Sequence, residues 1–416
     1  MGARSKKPQP NNLKFWTLPA ALTREEDQRM KGIVSSGVLV AILCLLSSMC
    51  GCSGGNNGGK DSGGGGTQPP PSTAIQSITV SCAGSSCSVE TGSTLQLLDT
   101  VTCVSDGHCD AAVTWYVCTG TVSAPANCVV NGNSTLGTID NNGLYAAPES
   151  VLPNGGIVIV KAVGSDNFTF GAASVLSTVV LTDNQLYTKG SYDAYMQPWG
   201  KGSLVAGKDY TESFTVTPYT FPDNSTITWS WPNTPAYSTT GSGVYNYLAF
   251  GYGEGAQVPI TPKKLADIQA LSETHDFALS GSLPGFDVIH DIMLTSVPNG
   301  PWDGTQIEVE IFLHTPAYSV SFAQAATQVG TFTGSGRTWA VSVYLNTAGT
   351  AGDVVIVPQN YEDVPSGTVD IKAMFDYLVS QKVLTGNEYF NGLQTGVEVD
   401  QGNGSAAFKS YSVSYE

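Results

Sequence analysis

Charge is scarce in this chain of 416 residues: only 12% are Asp, Glu, Lys or Arg, and acidic residues outnumber basic ones 34 to 18. The net charge of -16 argues against nucleic acid as a partner, because phosphate would be repelled, and leaves neutral ligands such as sugars unopposed. Histidine is scarcer still, with four residues. His275, His290 and His314 form no spaced ligand set, so neither a metal nor an organic cofactor is implied. Cysteine stops at Cys128. Helical periodicity is nearly absent too. It shows at one place only, residues 369–384, "VDIKAMFDYLVSQKVL", where Ile371, Met374, Phe375, Leu378 and Val379 recur at helical spacing before Gly386.

What is abundant points to β structure. The chain has 47 glycines, much Thr, Ser, Val and Tyr, and many short alternating runs, the composition of an all-β protein. Six of the nine cysteines, Cys82, Cys87, Cys103, Cys109, Cys118 and Cys128, crowd into one short segment. That density predicts a disulfide-stapled region made in an oxidising compartment, with the pairing open. A zinc site is the alternative, but there is no C-x-x-C pair and the nearby His108 stands beside Cys109.

Composition divides the chain further. Residues 1–52 end in an apolar run, Ile33 to Leu46, of signal-peptide length and short for a membrane span. The "SSMCGCSGG" that follows resembles a bacterial lipoprotein signal, with Cys52 as the lipidated residue and Cys50 as the runner-up. An uncleaved signal helix is the other reading. Residues 53–73, "SGGNNGGKDSGGGGTQPPPST", cannot bury a core and read as a flexible tether. Residues 74–183 show short strands at even spacing, with Trp115 in a central one. Their "VTWYV", "LGTIDNNGLYAAPES" and "IVIVKAVG" resemble bacterial Ig-like domains, which implies an Ig-like β-sandwich serving as a spacer.

Residues 184–416 hold many strands and the one helical segment, the pattern of a two-sheet antiparallel β-jelly roll. Within it, Gln306 to Leu313, "QIEVEIFL", alternates so that Ile307, Val309, Ile311 and Leu313 share one face and Glu308, Glu310 and Phe312 the other. Such a polar row is either a solvated sheet face or the floor of a cleft. Near the C-terminus Gly396, Glu398 and Asp400 share a face in the same way, and Gly396 would leave room for a sugar ring or mark a bend.

The order "MQPWG", "ITWSWP", "VIHDIMLT", "IEVEIFL", a helix ending in "FDYLVSQKVLTGNEYFNGLQTGVEVDQGNG", then "FKSYSVSYE", resembles glycoside hydrolase family 12, the β-jelly-roll endoglucanases and xyloglucanases. The resemblance implies Glu308 as nucleophile, Glu398 as general acid/base, Asp291 as the aspartate that hydrogen-bonds the nucleophile, and Trp199 as a platform for a sugar ring. Retaining hydrolysis needs two carboxyl groups roughly 5 to 5.5 Å apart, one ionised and one protonated. Trp229, Trp231 and Tyr245 are further substrate-binding candidates, with Tyr247 and Tyr252, because sugar C–H faces pack on aromatic rings. Trp229 and Trp231 lie two apart, so both face the cleft or both face the core. The chain departs from the family where Glu310 and Phe312 replace a methionine and a tryptophan, where His290 replaces a tyrosine, and where Met196 and Gln197 precede the "WG". Glu310 would tune its neighbour or contact sugar hydroxyls. The expected protein is a monomeric, lipid-anchored, extracellular or surface endo-β-1,4-glucanase of a bacterial envelope, acting on β-glucan. A non-catalytic glycan-binding protein of the same fold is the alternative.

Overall fold

The structure, a computed structural model, describes residues 74–104, 111–198, 200–232, 244–252, 260–299, 305–346 and 351–416. The signal, Cys52, the tether and Trp199 lie outside the described residues. All the described residues belong to one compact unit, Gln68–Glu416.

The main strands of the first region are β1 (Ile75–Cys82), β2 (Thr94–Cys103), β3 (Val113–Thr121), β4 (Ala124–Val130), β5 (Leu144–Ala146), β6 (Ile157–Gly164) and β7 (Phe170–Leu181), with shorter ones at Ser88–Glu90, Gly132–Asn133 and Gly137–Ile139. β1, β2 and β5 lie side by side in one sheet, and β4, β3, β6 and β7 follow in that order in another. Alternation gives each sheet one apolar row. Ile78 and Val80 meet Trp115, Val117, Val158 and Val160 in a core of their own. Disulfides Cys82–Cys87 and Cys118–Cys128 staple this region. Cys103 is disulfide-bonded as well, so every described cysteine serves the disulfide framework.

The remainder begins with β8 (Leu186–Lys189), β9 (Tyr192–Gln197), β10 (Thr211–Val216), β11 (Ser225–Trp231) and β12 (Val244–Gly251). It continues through β13 (Leu271–Gly281), β14 (Phe286–Thr295), β15 (Thr305–His314), α1 (Ala317–Ala325), β16 (Thr327–Gly334), β17 (Arg337–Leu345) and β18 (Ala351–Pro358). β19 (Ser366–Asp370), α2 (Ile371–Ser380), β20 (Gly392–Val399) and β21 (Gly402–Tyr415) complete it. An inner sheet runs β8-β9-β12-β20-β14-β15-β18-β17-β16, and an outer one runs β19-β13-β21-β11-β10. Phe214, Ile227, Phe277 and Phe408 of the outer sheet pack on Leu248, Val288, Ile292, Val309 and Val397 of the inner one, the two-layer core of a jelly roll.

β7 does not end with the first region. Its residues Phe170–Leu176 pair with β6, whereas Val179, Val180 and Leu181 pair with Val216, Thr215 and Phe214 of β10. Val175 faces the first core and Leu181 the second. One strand therefore carries the outer sheet across into the N-terminal region as a ten-stranded sheet.

α2 forms where the periodicity places it, with Ile371, Met374, Phe375 and Leu378 buried and the Asp370 side chain accepting from the Ala373 N–H at the N-cap. α1 is a second helix that the sequence did not reveal. Its segment, "AYSVSFAQA", alternates like a strand, and its buried residues are the small Ser319 and Ala323, so no large apolar stripe marks it. One pairing of the inner sheet departs from its antiparallel pattern. β15 and β18 pair in parallel, which the long intervening path through α1, β16 and β17 permits.

Candidate active site

The octet behaves as alternation predicts. Ile307, Val309, Ile311 and Leu313 are buried in the core between the sheets, which turns Glu308, Glu310 and Phe312 to the opposite face of the inner sheet. Phe312 lies there in a smaller apolar cluster with Tyr245, Tyr247, Ile289 and Val355.

Register brings the carboxylates to this face. On β14, Asp287 stands opposite Glu398 of β20, Asp291 opposite Glu310, and Met293 opposite Glu308 of β15. Directly paired residues have Cβ atoms only about 4.5–5.5 Å apart. Tyr245 of β12 faces Glu398 from the other side, and Asp353 of β18 stands opposite Glu308. Glu308, Glu310, Asp291, Glu398 and Tyr245, all singled out in the sequence, are thus brought together on four strands.

The electrostatics match that placement. Burial lifts the Glu310 carboxyl well above the usual carboxylate range, and the charges of Glu308, Glu398, Asp291 and Asp287 push it the same way. Glu310 therefore sits between the two glutamates expected to do the chemistry. Burial raises the Tyr245 hydroxyl, followed by Asp291 and Glu398, and burial raises Asp353. A partly buried floor that crowds several carboxyls together cannot ionise them all, so it keeps some protonated while others carry charge. Such a mixture is what a general acid and a nucleophile need, and of the two glutamates on β15 it is Glu310, level with Asp291, that lies nearer to Glu398.

The other aromatic candidates separate. Trp229 and Trp231 are in the core between the sheets, Trp229 edge-on to Phe286 and Trp231 against Tyr210. Of the two arrangements that the sequence allowed them, the structure has the core one, and neither ring is open to a sugar. Tyr247 is fully buried. Tyr252 lines a small crevice with Asp291, Met293, Asn391 and Gln394. Gly396 does not leave room for a sugar ring: a Cβ there would come within 2.3 Å of the Asn246 carbonyl and 2.6 Å of the Tyr247 Cβ, so the strand next to it already fills that space.

The sequence reading passed over Asp287, although it sits at the same period-two positions as Asp291, four residues earlier. It also passed over a buried network behind the floor. His275 and His290, distant in sequence, meet at Glu273: His275 Nδ1 is 2.8 Å and His290 Nε2 3.1 Å from Glu273 Oε2. These ligand-type atoms lie within 4.8 Å of one another, a spacing that a metal could use. A hydrogen bond already joins His275 to Glu273, however. His275 Nε2 lies 2.8 Å from the Val364 carbonyl, which only accepts, so that nitrogen carries hydrogen. A proton shared between Nδ1 and the carboxylate then makes a buried imidazolium–carboxylate pair. Burial would raise Glu273, but His290 and His275 hold it below its usual value. Burial also works against the charge on His275, yet Glu273 holds it above its usual value. His290 Nδ1 continues the chain to the Thr395 hydroxyl at 2.9 Å, tying β14 to β20 directly behind Asp291 and Gly396. His314 caps its strand end between Asp363 and the Leu283 carbonyl.

The sequence profile of glycosyl hydrolase family 12 matches residues 209–416, half of the chain. The chain belongs to glycosyl hydrolase family 12. It is a glycoside hydrolase. Among its relatives, the probable xyloglucan-specific endo-beta-1,4-glucanase A of Aspergillus fumigatus is 26% identical over 228 residues, 55% of this chain and 87% of that protein. The Neosartorya fischeri protein of the same name is 25% identical over the same length. Among solved structures, the family 12 xyloglucanase from Bacillus licheniformis is similar at 19% identity and a TM-score of 0.45, over 57% of this chain and 99% of that one. Endoglucanase 3 of Trichoderma harzianum gives 18% and 0.45, over 57% and 97%.

Proposed function

We propose that this family 12 member is a retaining endo-β-1,4-glucanase that cleaves β-glucan polysaccharide through a glycosyl-enzyme intermediate. Glu308 is the nucleophile and Glu398 the acid/base; Asp291 stands directly opposite Glu310 and diagonal to Glu308, which makes Glu310 the second candidate for the nucleophile. The observation that carries this reading is the convergence of Glu308, Glu310, Asp291 and Glu398 on one face of adjoining strands, with Glu308, Glu398 and Asp291 all acting on Glu310. A solvated sheet face would not bury Asp291 and Asp287 as this one does. The names of the fungal relatives make xyloglucan the first polymer to try, ahead of mixed-linkage glucan and cellulose. Trp199 is the remaining stacking platform, Tyr245 shapes the floor beneath Glu398, and neither a metal nor an organic cofactor takes part.

The N-terminal extension and Cys52 give export and lipid attachment to a bacterial envelope, and residues 53–73 hold the rest of the protein clear of the membrane. Residues 74–183 are an Ig-like spacer and residues 184–416 the hydrolase of a monomeric surface enzyme. The test is release of reducing ends from xyloglucan and soluble β-glucans by the full chain, with the anomer formed first followed by NMR. Glu308→Gln and Glu398→Gln should each lose activity by several orders of magnitude, and the first product should keep the β configuration. Binding without hydrolysis would make the protein a glycan-binding relative, and an inverted product would refute the two-step route.

A further inference from the structure

Resting on the reading of Glu398 as acid/base, we infer that Asp287 is a positioning residue for it, a neutral carboxylic acid held by α1 that donates a hydrogen bond to Glu398 and sets where activity is lost on the alkaline side. Four observations point there. Asp287 is the residue directly opposite Glu398 across the β14–β20 ladder. It is 2% exposed, in a place where an ionised carboxylate without a counter-charge is costly. Its Oδ2 accepts a 2.7 Å hydrogen bond from the Ser319 hydroxyl, which makes Oδ2 the carbonyl-like oxygen. Its Oδ1 is buried and has no hydrogen-bond partner among the described residues, which leaves that oxygen to carry the proton and turn it toward Glu398 opposite.

The groups around it favour the neutral form. Burial raises its carboxyl well above the usual range, Glu398 adds to that, and Asp400, also on β20, acts in the same sense. The hydrogen bond from Ser319 and the nearby Tyr318 hydroxyl, both of α1, act the other way but do not prevail. From β15, Glu310 is close enough for Asp287 to act on it in turn. With a proton on Oδ1, Asp287 donates to the Glu398 carboxylate that appears when the leaving oxygen is protonated, and holds it while water is deprotonated in the second step. A donor that prefers the carboxylate form of Glu398 also makes Glu398 surrender its proton at lower pH. An amide in its place is the weaker donor and cannot ionise.

The experiment is the pH dependence of kcat/KM on xyloglucan for the full-length protein, Asp287→Asn and Ser319→Ala, with Tm recorded for each. Asp287→Asn should move the alkaline limb upward by about one pH unit and leave the acidic limb in place. Ser319→Ala, which keeps the carboxyl but frees its orientation, should move the limb by less. If both variants are folded and their profiles superimpose on the parent, the inference is wrong and Asp287 is only a buried strut. Should Asp287→Asn fail to fold, Ser319→Ala decides alone by the same criterion. Glu398→Ala with added azide, on an aryl glucoside whose leaving group needs no proton, separates this outcome from failure of the underlying reading. Rescue upholds Glu398 as acid/base, and its absence overturns both that assignment and the role of Asp287.

Discussion

Asp291 and Glu310 face each other directly across the β14–β15 ladder, so the aspartate expected beside the nucleophile has a second carboxyl as its immediate partner and Glu308 on the diagonal. Glu310 shares its electrostatics with the whole site.

Replacing that group should be visible in stability. The Glu310 carboxyl is raised by burial and then by Glu308, Glu398 and Asp291, so the folded state binds a proton that the unfolded state releases above about pH 4.3. A raised pKa means that stability is fully present below the unfolded value and is lost as pH rises toward the folded one. Glu310→Gln should therefore match the parent near pH 4 and exceed its Tm by several degrees at pH 8. Equal Tm values across that range would show that Glu310 is ionised in the fold.

The buried pair Glu273–His275 should leave a two-sided signature. His275 is held above its ordinary value by Glu273, so its contribution is complete below about pH 6.5 and fades at higher pH. Glu273 is held below its ordinary value, so its contribution is present above about pH 4.3 and fades toward acid. In Glu273→Gln/His275→Gln the Tm difference from the parent should peak in that parent-favouring window and shrink on both sides. A difference that stays flat from pH 4 to 9 would mean that no proton is held between the two residues.

Cutting the chain at the expected domain boundary should cost stability. A fragment beginning at Asn184 loses β7, which leaves β10 as an open edge and removes Leu181 from the core. Burial of one such side chain contributes about 1.5–3 kcal/mol, and the ladder adds to it. The fragment should melt roughly 5–10 °C below the hydrolase portion of the full chain. A fragment as stable as the parent would show that the shared sheet adds nothing.

Much of the site was legible because strands have a period of two. The octet from Gln306 to Leu313 announces which residues point together, and "HDIM" and "GVEV" do the same for Asp291 and Glu398. Period says nothing about register, though. That Glu310 rather than Glu308 stands opposite Asp291, and that Asp287 stands opposite Glu398, depends on how β14 aligns with β15 and β20. Trp229 and Trp231 show the same limit: alternation puts them on one face, but whether that face is cleft or core depends on which sheet their strand joins. α1 was invisible because its buried side is made of Ser319 and Ala323.

By itself the sequence determined the composition-level properties and the one-dimensional patterns: an acidic, β-rich chain, a cysteine-rich region held by disulfides, one amphipathic helix, and paired glutamates at strand spacing. Those follow from residue type and from distances along the chain. Only the tertiary structure decided the rest: that His275 and His290 meet at Glu273, that β7 belongs to two cores, and that Gly396 yields its space to Tyr247. Each depends on contacts between segments far apart in sequence, where ladder register and packing choose the partners.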